Sequence, residues 1–335
     1  MTTLEVFIPT YNRPVEFEKC LRSVENALGR LSSNDRSVIG VAINDNSTDH
    51  LGEYEEVIED YKSRFEALAL SYFDYRRTGF NIGAINNIVS GIYSAKAEYV
   101  WLLPDDDLSR FDALSILLSA IRDCQPCFIG GAWIAKSVIE YDSNSIGEDD
   151  GHKNKILDVI SNSKKISVFF EKNVVQAQEY VYRTQLVKDF LKNKENRCLL
   201  NDMFPGLFAL VCLRAEGSFL RLERSVGIFR DGDPRSEWRH LWVRLALIEW
   251  PQLSVKLFNR GWLTSDEYRL SVGVFRSMFG NLSKRPDILL GLRRKQQVNP
   301  FLLLKYHRSS FFNALLVSPV AITKAIFKKI RKLNQ

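Results

Sequence analysis

Y-V-W-L-L-P-D-D-D-L-S, residues Tyr99 to Ser109, joins five apolar and aromatic residues to three consecutive carboxylates across a single proline. The run Tyr99–Leu103 is short enough for a buried strand and too short for most helices. Pro104 stops it. Leu108 and the periodic apolar residues behind it (Leu114, Leu117, Leu118, Ile121) read as a helix. Asp105, Asp106 and Asp107 therefore fall at the carboxyl end of a central strand, where open α/β sheets bind their ligands. Three adjacent carboxylates repel one another, and a hard cation with a preference for oxygen relieves the repulsion. On spacing alone, a solvated acidic turn capping the next helix is the alternative.

Upstream, the same grammar repeats. Leu4–Ile8 reads as a strand, followed by the turn P-T-Y-N-R-P (Pro9 to Pro14) and a helix over Val15–Leu28, with apolar residues Phe17, Leu21, Val24 and Leu28 at helical spacing. Val38–Ile43 is a second strand, ending in N-D-N-S-T-D (Asn44 to Asp49). Leu51–Phe65 is helical, Leu68–Phe73 is a third strand, and R-R-T-G-F-N-I-G (Arg76 to Gly83) leads into a helix ending at Ser94. Strand and helix alternating at this pitch predict a mainly parallel, doubly wound sheet with helices on both faces. Each polar segment follows a strand, so Pro9–Arg13, Asp45–Asp49, Arg77–Gly83 and Asp105–Asp107 open on one edge. Carboxylates there can accept from base and ribose groups, and arginine can meet phosphate. Neither the G-x-G-x-x-G of dinucleotide folds nor the Walker loop is present.

In order and spacing, P-T-Y-N-R, I-N-D-N-S-T-D, F-N-I-G-A-I-N-N and L-L-P-D-D-D resemble family-2 glycosyltransferases of the GT-A fold, closely over residues 3 to 135 and more loosely to about 250. The resemblance implies that Pro9, Thr10, Tyr11 and Arg13 border the nucleotide base of a nucleotide-sugar donor, and that Asp45 accepts from that base. It places Arg77 and Asn81 near the base or diphosphate. Asp105–Asp107 match the element that holds Mg²⁺ or Mn²⁺. The family often has D-A-D-D there and this chain has Pro104-Asp105-Asp106-Asp107, so the division of work stays open. Asp107 is favoured as metal ligand, with Asp105 or Asp106 on the sugar-nucleotide.

Beyond a strand over Phe128–Ala135 the character changes. Tyr141–Lys155 is polar and reads as a loop over the site, and Val174–Tyr182 is β-like. Leu199–Leu213 sets a lone acid, Asp202, just ahead of a strongly apolar helix. Asp202 is either a helix cap or the counterpart of the family's E-D element, whose Asp is the catalytic base; Asn201 departs from that element's first acid. Asp231–Trp242 combines Gly, Pro, Arg235, Arg239 and His240, and is expected to open a helix ending near Trp250. It resembles the mobile loop that closes over the donor, which would put His240 on the diphosphate or metal; a surface histidine is the alternative. The processive Q-x-x-R-W signature is absent. Further helices are expected over Ser265–Phe279, over Pro286–Arg294 and in the tail. The expected division is 1–250 as the GT-A domain, with a nucleotide-binding half (1–135) and an acceptor half (136–250), and 251–335 as a C-terminal helical extension.

Composition bounds the partners. The chain has 335 residues, 45% hydrophobic and 26% charged, as in an ordinary globular protein. Five scattered cysteines, an odd number, argue against a disulfide framework, and Cys124-x-x-Cys127 has no second pair for zinc. No signal peptide and no run of some 18 apolar residues is legible. The net charge of +6 hides an asymmetry: Ile288–Gln335 holds ten basic and no acidic side chains, leaving 36 basic and 40 acidic in the first 287 residues. The tail alternates apolar clusters (Phe301–Leu304, Phe311–Phe312, Leu315–Val317, Val320–Ile322, Ile326–Phe327) with cations, the pattern of an amphipathic segment lying on an anionic membrane surface; packing of these clusters on the protein's own core or on another subunit, with a solvated basic face, is the alternative. The expectation is an inverting, metal-dependent transferase at the cytoplasmic face of the inner membrane. It would move one sugar to a glycan or lipid-linked acceptor, with no nucleic-acid partner; a homo-oligomer is left open. Two alternatives come from other classes. A sugar nucleotidylyltransferase would need a Gly-rich loop with Arg and Lys after the first strand, which P-T-Y-N-R-P lacks. A non-catalytic carbohydrate- or metal-binding relative stays open through Asn201.

Overall fold

Alternation at period two builds the centre of the sheet. In β1 (Leu4–Thr10), Leu4, Val6 and Ile8 share one face while Glu5 and Phe7 share the other. β2 (Ile39–Asp45) pairs with it in parallel, from Leu4 opposite Ile39 to Thr10 opposite Asp45, so Ile39, Val41 and Ile43 continue the first face. Three helices cover that face: α1 (Pro14–Gly29), α3 (Leu51–Ala67) and α5 (Ala113–Cys124). Their stripes Phe17/Leu21/Val24/Leu28, Tyr54/Ile58/Tyr61/Phe65 and Leu114/Leu117/Leu118/Ile121 are buried in one core with the strands. Full burial of each such side chain contributes about 1.5–3 kcal/mol before entropy is counted. α2 (Ser33–Arg36) is a single turn leading into β2. α4 (Ala84–Ser94) lies on the opposite face. Its Gly91 sits so close to the Phe7 ring that a β-carbon there would overlap it, and glycine is what admits this approach.

The structure describes residues 2–130, 135–137, 156–161, 164–171, 180–200, 204–223, 226–231, 245 and 249–273. They fall in two compact units, one of Met1–Val168 with Val174–Asp233 and one of Phe169–Asn173 with Pro234–Gln335; it is a computed structural model. The remaining strands of the first unit are β3 (Tyr72–Arg77), β4 (Tyr99–Leu102), β5 (Leu108–Ser109), β6 (Phe128–Gly130), β7 (Ala135–Ser137), β8 (Ile156–Ile160), β9 (Tyr180–Arg183), β10 (Phe219–Leu222) and β11 (Gly227–Asp231). Eight of them form one sheet in the order β3-β2-β1-β4-β9-β6-β10-β8, and β5-β11-β7 form a second, small one. From β3 to β4 every neighbour is parallel. β9 then enters antiparallel between β4 and β6. The chain leaves β1 toward β2 and β3 on one side and returns to β4 on the other. That reversal is a topological switch point, and the crevice beyond the ends of β1 and β4 is the place for a ligand. The second unit contains the helices Trp250–Asn259 and Ser265–Gly273.

Several expectations need correcting. The third strand is Tyr72–Arg77, not Leu68–Phe73: Leu68 caps α3 and Ala69 has a left-handed φ of 56°, so the apolar run L-A-L belongs to the exit from the helix. Leu108 is not helical. It lies in β5, antiparallel to β11, and α5 starts at Ala113. Trp250–Asn259 is helical, with Pro251 in the first turn, where its missing N–H costs nothing; the helix expected to end near Trp250 lies almost wholly outside the described residues. The strand at Phe128 is described only to Gly130, and Ala135–Ser137 is a separate strand of the small sheet. The loop Tyr141–Lys155 and the helices expected after Gly273 lie outside the described residues.

Candidate active site

Asp105 joins two loops at the switch point. Thr10, the last residue of β1, donates its hydroxyl to Asp105 Oδ2 at 2.7 Å, and the Tyr11 amide donates to the same oxygen at 3.3 Å. Arg13 Nη1 donates to Asp106 Oδ2 at 2.5 Å and lies 3.7 Å from Asp105 Oδ1. The chain turns sharply here: Asn12 has a φ of 51°, and its side chain holds the next loop by accepting from the amides of Thr48 and Asp49, both at 3.0 Å. Asparagine tolerates that region because its short polar side chain bonds locally. Asp105 and Asp107 are buried, at 5% and 2% exposure, while the Asp106 side chain keeps 32%. Burial first, and then repulsion from Asp106, pushes the Asp105 carboxyl up to about 7, against the pull of Arg13 and the Thr10 and Tyr11 hydrogen bonds.

At the end of β2, Asp45 is fully buried. Its Oδ1 accepts from the Ser47 amide at 2.8 Å; its Oδ2 accepts from the Tyr75 hydroxyl at 2.5 Å and from Arg77 Nε at 3.0 Å. Arg77 spends its other donors on Glu55 Oε1 (3.0 Å) and the Leu51 carbonyl (3.3 Å). Asp45 and Arg77 are thus brought together as a pair. A ligand reaches this carboxylate only where one of those partners gives way. Asn46 next to it organises the loop after β3: its Nδ2 donates to Asn81 Oδ1 at 2.7 Å, and its Oδ1 accepts from the Ile82 amide at 2.8 Å. Gly79 and Gly83 take φ values of 74° and 82° in that loop, which favour glycine.

The sequence-predicted residues Pro9, Thr10, Tyr11, Arg13, Asp45, Arg77, Asn81 and Asp105–Asp107 all sit on loops or strand ends at this one edge of the sheet. Tyr11 is 41% exposed, free to meet a flat ligand. Asp202 and His240 lie outside the described residues. The sequence reading missed Tyr54, Tyr75, Ser47 and Asn46, which hold the predicted residues in place. Asn46 and Ser47 carried a signal as members of N-D-N-S-T-D; the two tyrosines carried none. Among the described residues no group of three acidic, His or Cys side chains forms a ready-made cage. A hard divalent ion needs only one or two carboxylates when phosphate oxygens and water complete its shell. The all-oxygen set Asp105–Asp107, whose mutual repulsion Arg13 offsets in part, fits such an ion.

The fold and site define an α/β protein of the GT-A type, with its ligand edge at the switch point. The family model described as "Glycosyl transferase family 2" matches residues 5–171, and across that stretch the chain belongs to glycosyl transferase family 2. Among its relatives, the abequosyltransferase RfbV of Salmonella typhimurium is 32% identical over 111 residues, which are 33% of this chain and 30% of RfbV. The poly(ribitol-phosphate) beta-N-acetylglucosaminyltransferase TarP of Staphylococcus aureus is 28% identical over 218 residues, 60% of this chain and 61% of TarP. The chain therefore spans less than two thirds of either relative. In fold it is similar to S. aureus TarS 1-349, solved also with UDP and with UDP-GlcNAc, at a TM-score of 0.58 and 15% identity over 96% of this chain and 92% of that one. It is similar also to the mannosyltransferase PcManGT of Pyrobaculum calidifontis, solved with GDP-Man and Mn²⁺, at 0.54 and 15% over 98% and 79%.

Proposed function

We propose that the chain is an inverting glycosyltransferase that moves one sugar from a nucleotide-sugar donor to a hydroxyl of a glycan or lipid-linked acceptor in cell-surface polysaccharide synthesis. The convergence of the Thr10–Arg13 loop, the Asp45–Arg77 pair and the Asp105–Asp107 loop on the switch point carries this reading. Family membership supports it, as do UDP, UDP-GlcNAc and GDP-Man in the structural neighbours. Tyr11 and Arg13 border the base, Asp45 and Arg77 recognise it, Asn81 shapes the adjacent loop, and Asp106 with Asp105 lies toward the ribose and diphosphate. Asp107 would hold Mn²⁺ or Mg²⁺, with His240 as a further ligand; when bound, the ion offsets charge on the donor diphosphate. Asp202 is the base that takes the acceptor's proton. The test is donor turnover and hydrolysis across a panel of nucleotide sugars, with Mn²⁺, with Mg²⁺ and with EDTA. Turnover of one donor is expected; a chain that binds donors but turns none over would favour the non-catalytic relative.

Asp45→Ala should raise the donor KM on the order of tenfold to a hundredfold, the worth of a charge-assisted hydrogen bond of about 1.5–3 kcal/mol. The metal requirement should stay intact. Steady-state kinetics at several Mn²⁺ concentrations check this, and loss of the metal dependence would show that Asp45 belongs to the ion instead.

The tail supports a second part of the proposal, attachment to the cytoplasmic face of an anionic membrane where a lipid-linked acceptor is found. Lys305, Arg308, Lys324, Lys328, Lys329, Arg331 and Lys332 are interleaved with the apolar clusters of residues 299–335. Each cation near an anionic leaflet contributes about 1 kcal/mol, falling off within a Debye length. No helix among the described residues is long and apolar enough to cross a membrane. The full chain should sediment with anionic liposomes, less so at high salt, and a chain ending at Val298 should stay in the supernatant. Equal sedimentation of the two would remove the membrane role from the tail.

A further inference from the structure

Tyr54 is a buried tyrosine on α3 that packs its ring on Phe17, with centroids 5.3 Å apart. Its hydroxyl stands at the centre of the nucleotide end of the site. It lies 2.7 Å from Thr10 Oγ1 and 2.8 Å from the Arg13 amide nitrogen. The direction of each bond follows from the donors available. Asp105 Oδ2 accepts from the Tyr11 amide, so it is an acceptor, and the single Thr10 hydroxyl proton points to it. Thr10 then has only lone pairs to offer Tyr54, which must donate. The Tyr54 oxygen accepts the Arg13 N–H in return. One directed chain results: Arg13 N–H to Tyr54 O–H to Thr10 O–H to the Asp105 carboxylate. Hydrogen bonds in such a chain polarise and strengthen one another. Burial holds the Tyr54 phenol up to about 12, against the hydrogen bonds of Ser47 and Thr10, so the hydroxyl keeps its proton.

We infer that Tyr54 is a positioning residue of the donor site, setting the Asp105 carboxylate through Thr10 and the turn that carries Tyr11 and Arg13 through the Arg13 amide. This rests on the reading of that site as the nucleotide-sugar site. Residues 10–13 are fastened at both ends: Thr10 and the Arg13 backbone to Tyr54, and the Arg13 guanidinium to Asp106. Oδ2 of Asp105 faces inward in this arrangement, so Asp105 acts on the loops, and Asp106 is the more accessible carboxylate for the ligand. The chain needs no metal, so its effect on nucleotide binding persists without one.

The experiment is calorimetric titration with UDP, GDP, CDP and dTDP, in EDTA and in Mn²⁺, joined to steady-state kinetics with the donor that turns over. Tyr54→Phe removes one oxygen and keeps the ring. The Kd for the nucleoside diphosphate that binds, and the donor KM, should rise on the order of three- to tenfold in both media, the worth of one neutral hydrogen bond. kcat should stay within about twofold. Thr10→Val breaks the same chain, so the double variant should be no worse than the weaker-binding single one, as expected of coupled residues. Thr10→Ser should bind more tightly than Thr10→Val. Phe17→Leu, which disturbs the same packing but not the hydroxyls, should lower Tm and leave Kd in place. A Tyr54→Phe chain with lower Tm and wild-type Kd would overturn the inference alone, as would effects of the two single variants that multiply. A wild-type chain that binds none of the four diphosphates would overturn the donor-site reading and the inference with it.

Discussion

Asp107→Ala should lower turnover by on the order of 10³-fold or more and weaken donor binding only when a divalent ion is present. The loop Asp105–Asp107 concentrates three carboxylates at the switch point. Arg13 reaches Asp106 closely and Asp105 at 3.7 Å, yet burial and the repulsion from Asp106 still hold the Asp105 carboxyl up at about 7. A divalent ion held by this loop would add positive charge there, and the same charge would offset that of a leaving diphosphate. Electrostatic stabilisation of that kind is worth several kcal/mol, at about 1.4 kcal/mol for each factor of ten. Initial rates in Mn²⁺, in Mg²⁺ and in EDTA test it, together with Mn²⁺ titration followed by calorimetry. Full activity in EDTA, or in the variant, would remove the metal from the mechanism.

The strands that reach the site were legible because β1, β2 and β4 are buried and read as short apolar runs that end abruptly in polar residues. β3 was misplaced by four residues for the converse reason. As an edge strand it is half-buried throughout, its sequence Y-F-D-Y-R-R is polar, and the more apolar L-A-L before it finishes a helix. Of the strands after β5, only β6 and β9 gave a signal, within Phe128–Ala135 and Val174–Tyr182. F-I-G at Phe128–Gly130 is the start of the longer strand expected there, but F-L-R-L at Phe219–Leu222 is too short to set a period, and its pairing with β6 joins residues 91 apart in the chain, Phe219 with Phe128. At the site, residue types and order pointed to Thr10, Asp45, Arg77 and the triple Asp. The side chains that hold them did not stand out. Tyr54 occupies the apolar stripe of α3 with Ile58, Tyr61 and Phe65, and nothing in periodicity distinguishes a tyrosine whose ring packs from one whose hydroxyl also anchors a loop.

Asp202→Asn is expected to reduce kcat by about 10²–10⁴-fold, the contribution of a positioned general base, with donor affinity nearly unchanged. The acceptor hydroxyl must lose its proton as it attacks the anomeric carbon, and a carboxylate within hydrogen-bond reach is the simplest group to take it. Asp202 stands two residues ahead of the helix described as Phe204–Arg214. That helix is buried almost all round, through Phe204, Leu207, Phe208, Leu210 and Leu213 among others. Such a position suits a catalytic group, and it suits a helix cap equally well. The two roles part on substitution. Asparagine caps a helix about as well as aspartate but cannot accept the proton, so Asp202→Asn tests the base with the cap preserved. Asp202→Ala removes both, and a cap lost to alanine costs about 1 kcal/mol of stability. If Asp202 is the base, both variants lose turnover and only the alanine variant melts earlier. If it is a cap alone, the asparagine variant keeps wild-type kcat, and another group must serve as the base that takes the proton. Single-turnover kinetics with saturating donor, read beside thermal melting of the three proteins, separates the outcomes.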